Sequence, residues 1–213
     1  MPTNRFERLA VDRQQRLLEA AADEFAAHGY DAASTNRIAP AAGVSKGSVY
    51  YYFEDKADLY ATVLRRGFAD LAEQIGGLGT IATPDDFWRE LVALSERAFV
   101  LFSADPRLAS LGRAFYGGPS GTALAELTEG LHAWVAETLD QGRKVGAVRD
   151  DLPTDLLAVA LTSMGLGLDR WFVEHWAALD PSRIASLEAS VLDLVRGLIA
   201  PPPSPSSPVQ ENL

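Results

Sequence analysis

One stretch of 26 residues constrains the whole chain: STNRIAPAAGVSKGSVYYYFEDKADL, from Ser34 to Leu59. It holds two short helical segments with a glycine between them. A serine side chain accepts a free N–H in the first turn of a helix, and Ser34 and Ser45 stand where such caps are needed. Gly43 tolerates the positive φ that a tight turn between helices demands. The spacing predicts helices over Thr35–Ala42 and Lys46–Phe53. Ile38, Ala42, Val44, Val49 and Phe53 supply a small apolar interior. Two helices joined in this way form a helix-turn-helix, whose second helix lies in a DNA major groove.

The remainder of the chain must build or control that unit. With 213 residues and 47% hydrophobic content, it is long and apolar enough for a real core. It contains no cysteine, which excludes disulfides and thiolate metal sites. The N-terminal MPTNRFERLAVDR is charged and lacks the apolar core of a signal peptide. No uninterrupted apolar run approaches the roughly 18 residues of a membrane span. A soluble, cytoplasmic, nucleoid-associated protein is expected, with no membrane partner.

A net charge of −10 argues against nucleic acid at first sight. The distribution answers the objection. Residues 1–56 hold seven of the 19 basic and eight of the 29 acidic residues, so nearly all the excess negative charge lies beyond them. An acidic body repels DNA and leaves the near-neutral end to face it.

Residues 1–11 read as a flexible arm bearing Arg5 and Arg8. Asp12 and Gln15 have the spacing of a capping box. Leu17, Leu18, Ala21, Ala22 and Phe25 then form a helical stripe that Gly29 stops, so the first helix is expected over about 13–28. Asp55 caps a fourth helix, whose Leu59, Val63, Leu64, Phe68, Leu71 and Ile75 recur every three or four residues. Gly76, Gly77 and Gly79 break it. Further helices are expected from Thr83-Pro84-Asp85-Asp86 onward, over 106–116, 122–142, 154–178 and 182–199. The Pro/Ser-rich segment 201–213 cannot continue a helix and reads as a disordered tail. The expected organisation is a helix-turn-helix domain over 1–55 and a helical domain over 56–200, followed by that tail. The fold class is all-α.

Four consecutive aromatics, Tyr50 to Phe53, cannot all face inward, because successive helix positions turn by about 100°. Val49 and Phe53 share one face and pack inward. Tyr51 and Tyr52 then point outward with Tyr50 at the edge, where hydroxyls can bond phosphate oxygens. Lys46, Gly47 and Ser48 occupy the end of the second helix that meets base edges. Lysine can donate to guanine, serine suits several bases, and Asn36 can pair with adenine. Lys56 stands in the first turn of the fourth helix, where a cation opposes the dipole. A phosphate there would satisfy both the lysine and the free N–H groups.

These residues resemble the tetracycline-repressor-like (TetR) transcriptional regulators. The likeness lies in I-A-x-x-A-G-V-S-x-G-x-x-Y-x-Y-F-x-x-K-x-x-L, which runs here from Ile38 to Leu59. It covers about residues 12–60; beyond them only length and helical layout agree. The resemblance implies a DNA-facing set of Ser34, Thr35, Asn36, Lys46, Gly47, Ser48, Tyr50, Tyr51, Tyr52 and Lys56. It also implies a homodimer built from the last two helices and a ligand cavity among the fourth to eighth. Pro40 departs from the pattern, which has a charged or polar residue there, and predicts a bent or irregular helix over Thr35–Ala42.

In the body, Trp88, Phe99, Phe102, Phe115, Tyr116, Trp134, Met164 and Trp171 are candidates to line an apolar cavity. Arg113, His132 and Asp169 are candidates for its few polar groups. Leu187, Val191, Leu194 and Leu198 form a stripe suited to a two-fold helical bundle, with Gly165 and Leu168 on the preceding helix. Catalysis finds little support. The three histidines are scattered without metal-ligand spacing, and neither a phosphate-binding loop nor a nucleophile elbow is present. No cofactor and no metal is expected. The expected function is a bacterial ligand-responsive regulator, acting as a repressor. It binds a near-palindromic operator as a homodimer and is released by an unknown small-molecule effector. The alternative is a helical enzyme, sensor or interaction protein without DNA binding, which leaves Lys56 and the outward tyrosines unexplained.

Overall fold

The computed structural model describes residues 4–104, 112, 115–116, 118, 122–175 and 178–202. Nine helices run through them: α1 Asn4–Glu7, α2 Val11–Ala32, α3 Thr35–Ala41, α4 Lys46–Tyr52, α5 Lys56–Ile75, α6 Pro84–Ala104, α7 Thr122–Lys144, α8 Thr154–His175 and α9 Pro181–Ile199. No strand occurs among the described residues. Most of the helix expected over 106–116, and residues 203–213 of the tail, lie outside them.

Local chemistry accounts for the boundaries. Ser34 accepts the Asn36 N–H at 3.3 Å, Ser45 the Ser48 N–H at 3.1 Å and Asp55 the Asp58 N–H at 2.8 Å. At the start of α6, Thr83 Oγ1 accepts the Asp86 N–H at 3.1 Å. Asp86 in return accepts the Thr83 N–H at 2.9 Å, a reciprocal capping box. The expected box at Asp12 does not form. The helix begins two residues earlier, at Val11, which places Asp12 inside its first turn, and Asp12 pairs with Arg16 at 3.0 Å. Gly29 interrupts α2 at φ 71°, and the chain then completes a further turn to Ala32.

Two apolar clusters organise the molecule. The first joins Leu17, Phe25, Ile38, Val49 and Phe53 of the head to Leu59, Tyr60, Val63 and Leu64 of α5, and reaches Phe115. The second lies in the body and contains Phe87, Leu139, Ala147, Val148, Leu157, Ala158 and Ile199. The helix α5 therefore belongs to the head and to the body, and α7 packs along α8.

The N-terminal arm differs from expectation. Residues Asn4–Glu7 are helical, and Phe6 is 3% exposed, its ring 4.8 Å from that of Phe53. One buried aromatic is enough to hold a short segment down where a groove of the same chemistry awaits it. A second difference concerns α8. Counting its small residues, it is long and apolar enough to cross a membrane by length and composition, and most of it is not buried within the chain.

Candidate nucleic-acid interface

The turn between α3 and α4 is built by backbone bonds that Gly43 makes possible. Its φ is 68°, the left-handed region that a Cβ disfavours. The Val44 N–H reaches back to the Ala39 carbonyl at 2.9 Å, and the Gly43 N–H reaches the Pro40 carbonyl at 3.1 Å. This is a Schellman closure, in which a glycine just past the helix lets two N–H groups satisfy the last free carbonyls. The expected irregularity at Pro40 is absent, because the proline stands one residue from the end of α3. There its missing N–H removes a single intrahelical bond, the one to Asn36 O.

The helix α4 buries Val49 and Phe53 and exposes Tyr51 as the aromatic run requires, but Tyr50 rather than Tyr52 is its second outward tyrosine, because Phe6 packs on Tyr52. Val49 is buried and Phe53, at its C-cap, fully so. Tyr50 and Tyr51 are 51% and 52% exposed, while Tyr52 is half-buried against Phe6. The Thr35 and Tyr50 hydroxyls lie 3.0 Å apart, so the start of α3 fixes the outward tilt of Tyr50. Thr35 itself is buried, which makes it a support for the tyrosine. Asn36, Lys46 and Gly47 are exposed. A Cβ on Gly47 would meet nothing closer than Ser45 Oγ at 3.8 Å, so the protein's own packing does not require glycine there. Ser48 Oγ lies 2.8 Å from Ser45 Oγ and is half-buried.

Lys56 is placed otherwise than the sequence suggests. Its ammonium donates to the carbonyls of Tyr30 at 2.7 Å, Asp31 at 3.1 Å and Ala33 at 3.3 Å, and lies 4.5 Å from the centre of the Tyr30 ring. An ammonium has three donors, and each has a partner here. The cation that opposes the dipole of α5 thus sits at the carbonyl-rich end of α2. Tyr30 also packs on Tyr60 and Phe25, with ring centres 5.0 and 6.3 Å away. Burial, then the charge of Tyr30, pushes the Tyr60 hydroxyl up to about 12.

A second tether was not legible in the sequence. Glu24, 9% exposed, accepts the Ser34 N–H at 2.9 Å and the Arg37 Nε and Nη2 at 2.8 and 2.5 Å. It fixes the cap of α3 and a cation of α3 to α2. The Arg37 hydrogen bond holds its carboxyl below the ordinary value of 4.5, against the opposing pull of burial. A depressed folded pKa contributes stability that is present above the unfolded value and lost as pH falls through the folded one. Glu24→Gln is expected to cost about 2 kcal/mol at neutral pH. It should also flatten the loss of melting temperature below pH 4.5; equal acid sensitivity in wild type and variant would contradict this. Beside this pair an open groove of about 370 Å³ is lined by Arg16, Glu19, Ala20, Asp23, Glu24, Arg37 and Ala41. Its lining is of mixed charge and lies on the head, away from the body.

The family described as bacterial regulatory proteins, tetR family, matches residues 17–63, which span α2 to the first turns of α5. The HTH-type transcriptional repressor Rv1474c of Mycobacterium tuberculosis is 30% identical over 208 residues, covering 93% of this chain and 98% of that protein. The chain belongs to the tetR family. It is a transcriptional regulator with an N-terminal helix-turn-helix and a helical C-terminal domain. Solved structures of the fold include the regulator FadR from Bacillus subtilis in complex with stearoyl-CoA. Its TM-score is 0.69 at 21% identity, covering 87% of this chain and 98% of that one. The SmeT–triclosan complex gives a TM-score of 0.70 at 21% identity, covering 96% and 99%.

In this family member the candidate ligand residues fall into separate groups. Phe115 is buried in the first cluster, with Phe68 and Tyr116 edge-on to it at 5.1 and 4.9 Å. The Tyr116 hydroxyl donates to Asp169 at 2.7 Å and lies 3.1 Å from the Leu166 carbonyl. Desolvation pushes the Asp169 carboxyl up, although the residue as a whole is exposed, and that hydrogen bond partly offsets it. Trp88 packs on the second cluster under the Arg196 guanidinium, 4.6 Å from the ring centre. Phe99, Phe102, His132 and Met164 are half-buried, Trp134 and Trp171 are partly exposed, and Arg113 lies outside the described residues. Gly118 was missed as a packing residue: a Cβ there would fall 2.1 Å from the Tyr60 hydroxyl. Of the dimer candidates, Gly165 and Leu194 are exposed, and Leu168, Leu187, Val191 and Leu198 are half-buried.

Proposed function

We propose that the protein is a dimeric repressor that reads a near-palindromic operator through α4 and is released by a small apolar effector in its body. The observation that carries this reading is the exposed face of α4. Lys46, Gly47, Tyr50 and Tyr51 stand outward on a helix whose other face is sealed into the head core. Lys46 and Asn36 supply base-edge donors, Ser48 flanks them, and Tyr50, Tyr51 and Tyr52 supply phosphate contacts. Two copies would enter successive major grooves about 34–36 Å apart.

The dimer face is assigned to α8 and α9. Leu156, Val159 and Leu194 are each more than half exposed, and an apolar face of that kind is stable in water when a second copy covers it. The effector is assigned to the body around Phe68, Phe115 and Tyr116, with Asp169 as a polar terminus. Phe115 lies in the same cluster as the head, and Gly118 abuts Tyr60 beneath the Tyr30–Phe25 aromatic group. A ligand that favours one arrangement of this region over another shifts the spacing of the two heads, by as much as its affinity differs between the two states. FadR and SmeT carry stearoyl-CoA and triclosan in their complexes. An apolar effector with one polar end is the corresponding proposal for this chain. A gel shift with the duplex upstream of its own coding region tests the reading. A discrete complex at low salt is expected, and no complex with that or any selected duplex would overturn it.

A further inference from the structure

We propose that the N-terminal segment is part of the DNA-binding surface, with Arg5 held as a contact to a backbone phosphate beside the groove that α4 enters. The proposal rests on the DNA-binding reading above. The segment is anchored at two points and closed by one bond of its own. Phe6 is buried, with its ring 4.8 Å from Phe53 and 6.3 Å from Tyr52. The Leu9 N–H closes onto the Phe6 carbonyl at 2.9 Å. Gln14 Nε2, on α2, donates to the Leu9 carbonyl at 2.8 Å and to the Glu7 carbonyl at 3.3 Å. Two of these bonds satisfy the Phe6 and Glu7 carbonyls at the end of the four-residue helix.

The anchor places the neighbouring Arg5 on α4. Its guanidinium carbon lies 4.5 Å from the centre of the Tyr51 ring, and both residues are exposed. Arg16, Arg37, Arg65, Arg89, Arg149 and Arg170 each meet a carboxylate. Arg5 has no carboxylate partner among the described residues. A guanidinium held over an aromatic face keeps N–H donors available to a second partner, and a phosphate suits them. Much of its rotamer entropy is lost before DNA arrives, which lowers the cost of the contact. Lys46 is likewise exposed at the opposite end of α4. The two cations therefore bracket the outward tyrosines, one at the base-reading end and one at the flank. A phosphate contact carries no base information, so Arg5 contributes to affinity on every sequence.

The test uses the full-length protein and the duplex that it selects from a random-sequence pool, with a scrambled duplex as control. Affinity is measured by fluorescence anisotropy between about 50 and about 200 mM salt. Arg5→Ala should weaken binding to both duplexes several-fold at low salt. It should reduce the slope of log affinity against log salt by about one, the signature of one lost phosphate contact. Its melting temperature should equal that of wild type, and Arg5→Lys should restore the slope. Phe6→Ala should lower the melting temperature and, measured well below it, reproduce the shallower slope. Wild-type slope and affinity in Arg5→Ala would overturn the inference. A loss of affinity that merely follows a lowered melting temperature would overturn it too. If wild type selected no duplex at all, the DNA-binding reading would fail and this inference with it. Selection of a duplex that Arg5→Ala binds equally well would remove the inference alone.

Discussion

Lys56→Met is expected to lower the melting temperature substantially while leaving the salt dependence of DNA binding close to that of wild type. Methionine keeps an unbranched apolar stem and removes the charge. The ammonium satisfies the carbonyls of Tyr30, Asp31 and Ala33 at the end of α2, where no helical N–H continues. A hydrogen bond to a charged group is worth about 1.5–3 kcal/mol, and part-buried carbonyls left unpaired add their own cost. A loss of about 3 kcal/mol is expected, equivalent to about 6–12 °C in a chain of this length. Thermal melts and a salt titration of DNA binding separate the two roles of this lysine. A tether lowers the melting temperature. A phosphate ligand, as the sequence suggests, makes the salt slope shallower by about one and leaves the melting temperature alone.

Leu194→Glu should dissociate the proposed dimer and, through it, abolish tight operator binding. Leu194 is 56% exposed in the protomer and lies on one stripe with Leu187, Val191 and Leu198. In a two-fold interface each substitution appears twice. Desolvating an unpaired carboxylate costs several kcal/mol. The two copies together should therefore weaken dimerisation by at least about a thousandfold. Sedimentation velocity should find a dimer in wild type and a monomer in the variant, with an unchanged helical spectrum. Operator affinity should fall at least about a hundredfold, because a single head reads only half the site. A variant that stayed dimeric would move the interface off this face.

The head was largely legible in the sequence because its signals are local. Ser34, Ser45 and Asp55 cap the helices that their positions mark, and Gly43 takes the positive φ that its place between helices demands. A cap and a turn need only residues a few positions apart. The outward place of Tyr51 follows from the 100° step of the helix in the same way; Tyr50 and Tyr52 exchange their expected places, because Phe6 of the N-terminal segment covers Tyr52 and leaves Tyr50 exposed. Pro40 was misread because the cost of a proline depends on its distance from the helix end, and α3 ends immediately after it.

What the sequence by itself determined is the all-helical, capped helix-turn-helix with Lys46 and Tyr51 on its outer face, together with the absence of thiol chemistry. Only the tertiary structure decided the partners of the long side chains. Lys56 reaches 26 residues back to Tyr30, Glu24 reaches 13 forward to Arg37, and Phe6 crosses from α1 to Phe53. Tyr116 meets Asp169 across 53 residues. No periodicity encodes such pairs. A charged or aromatic side chain is satisfied by whichever group the packing brings within reach, and that is settled when the helices meet.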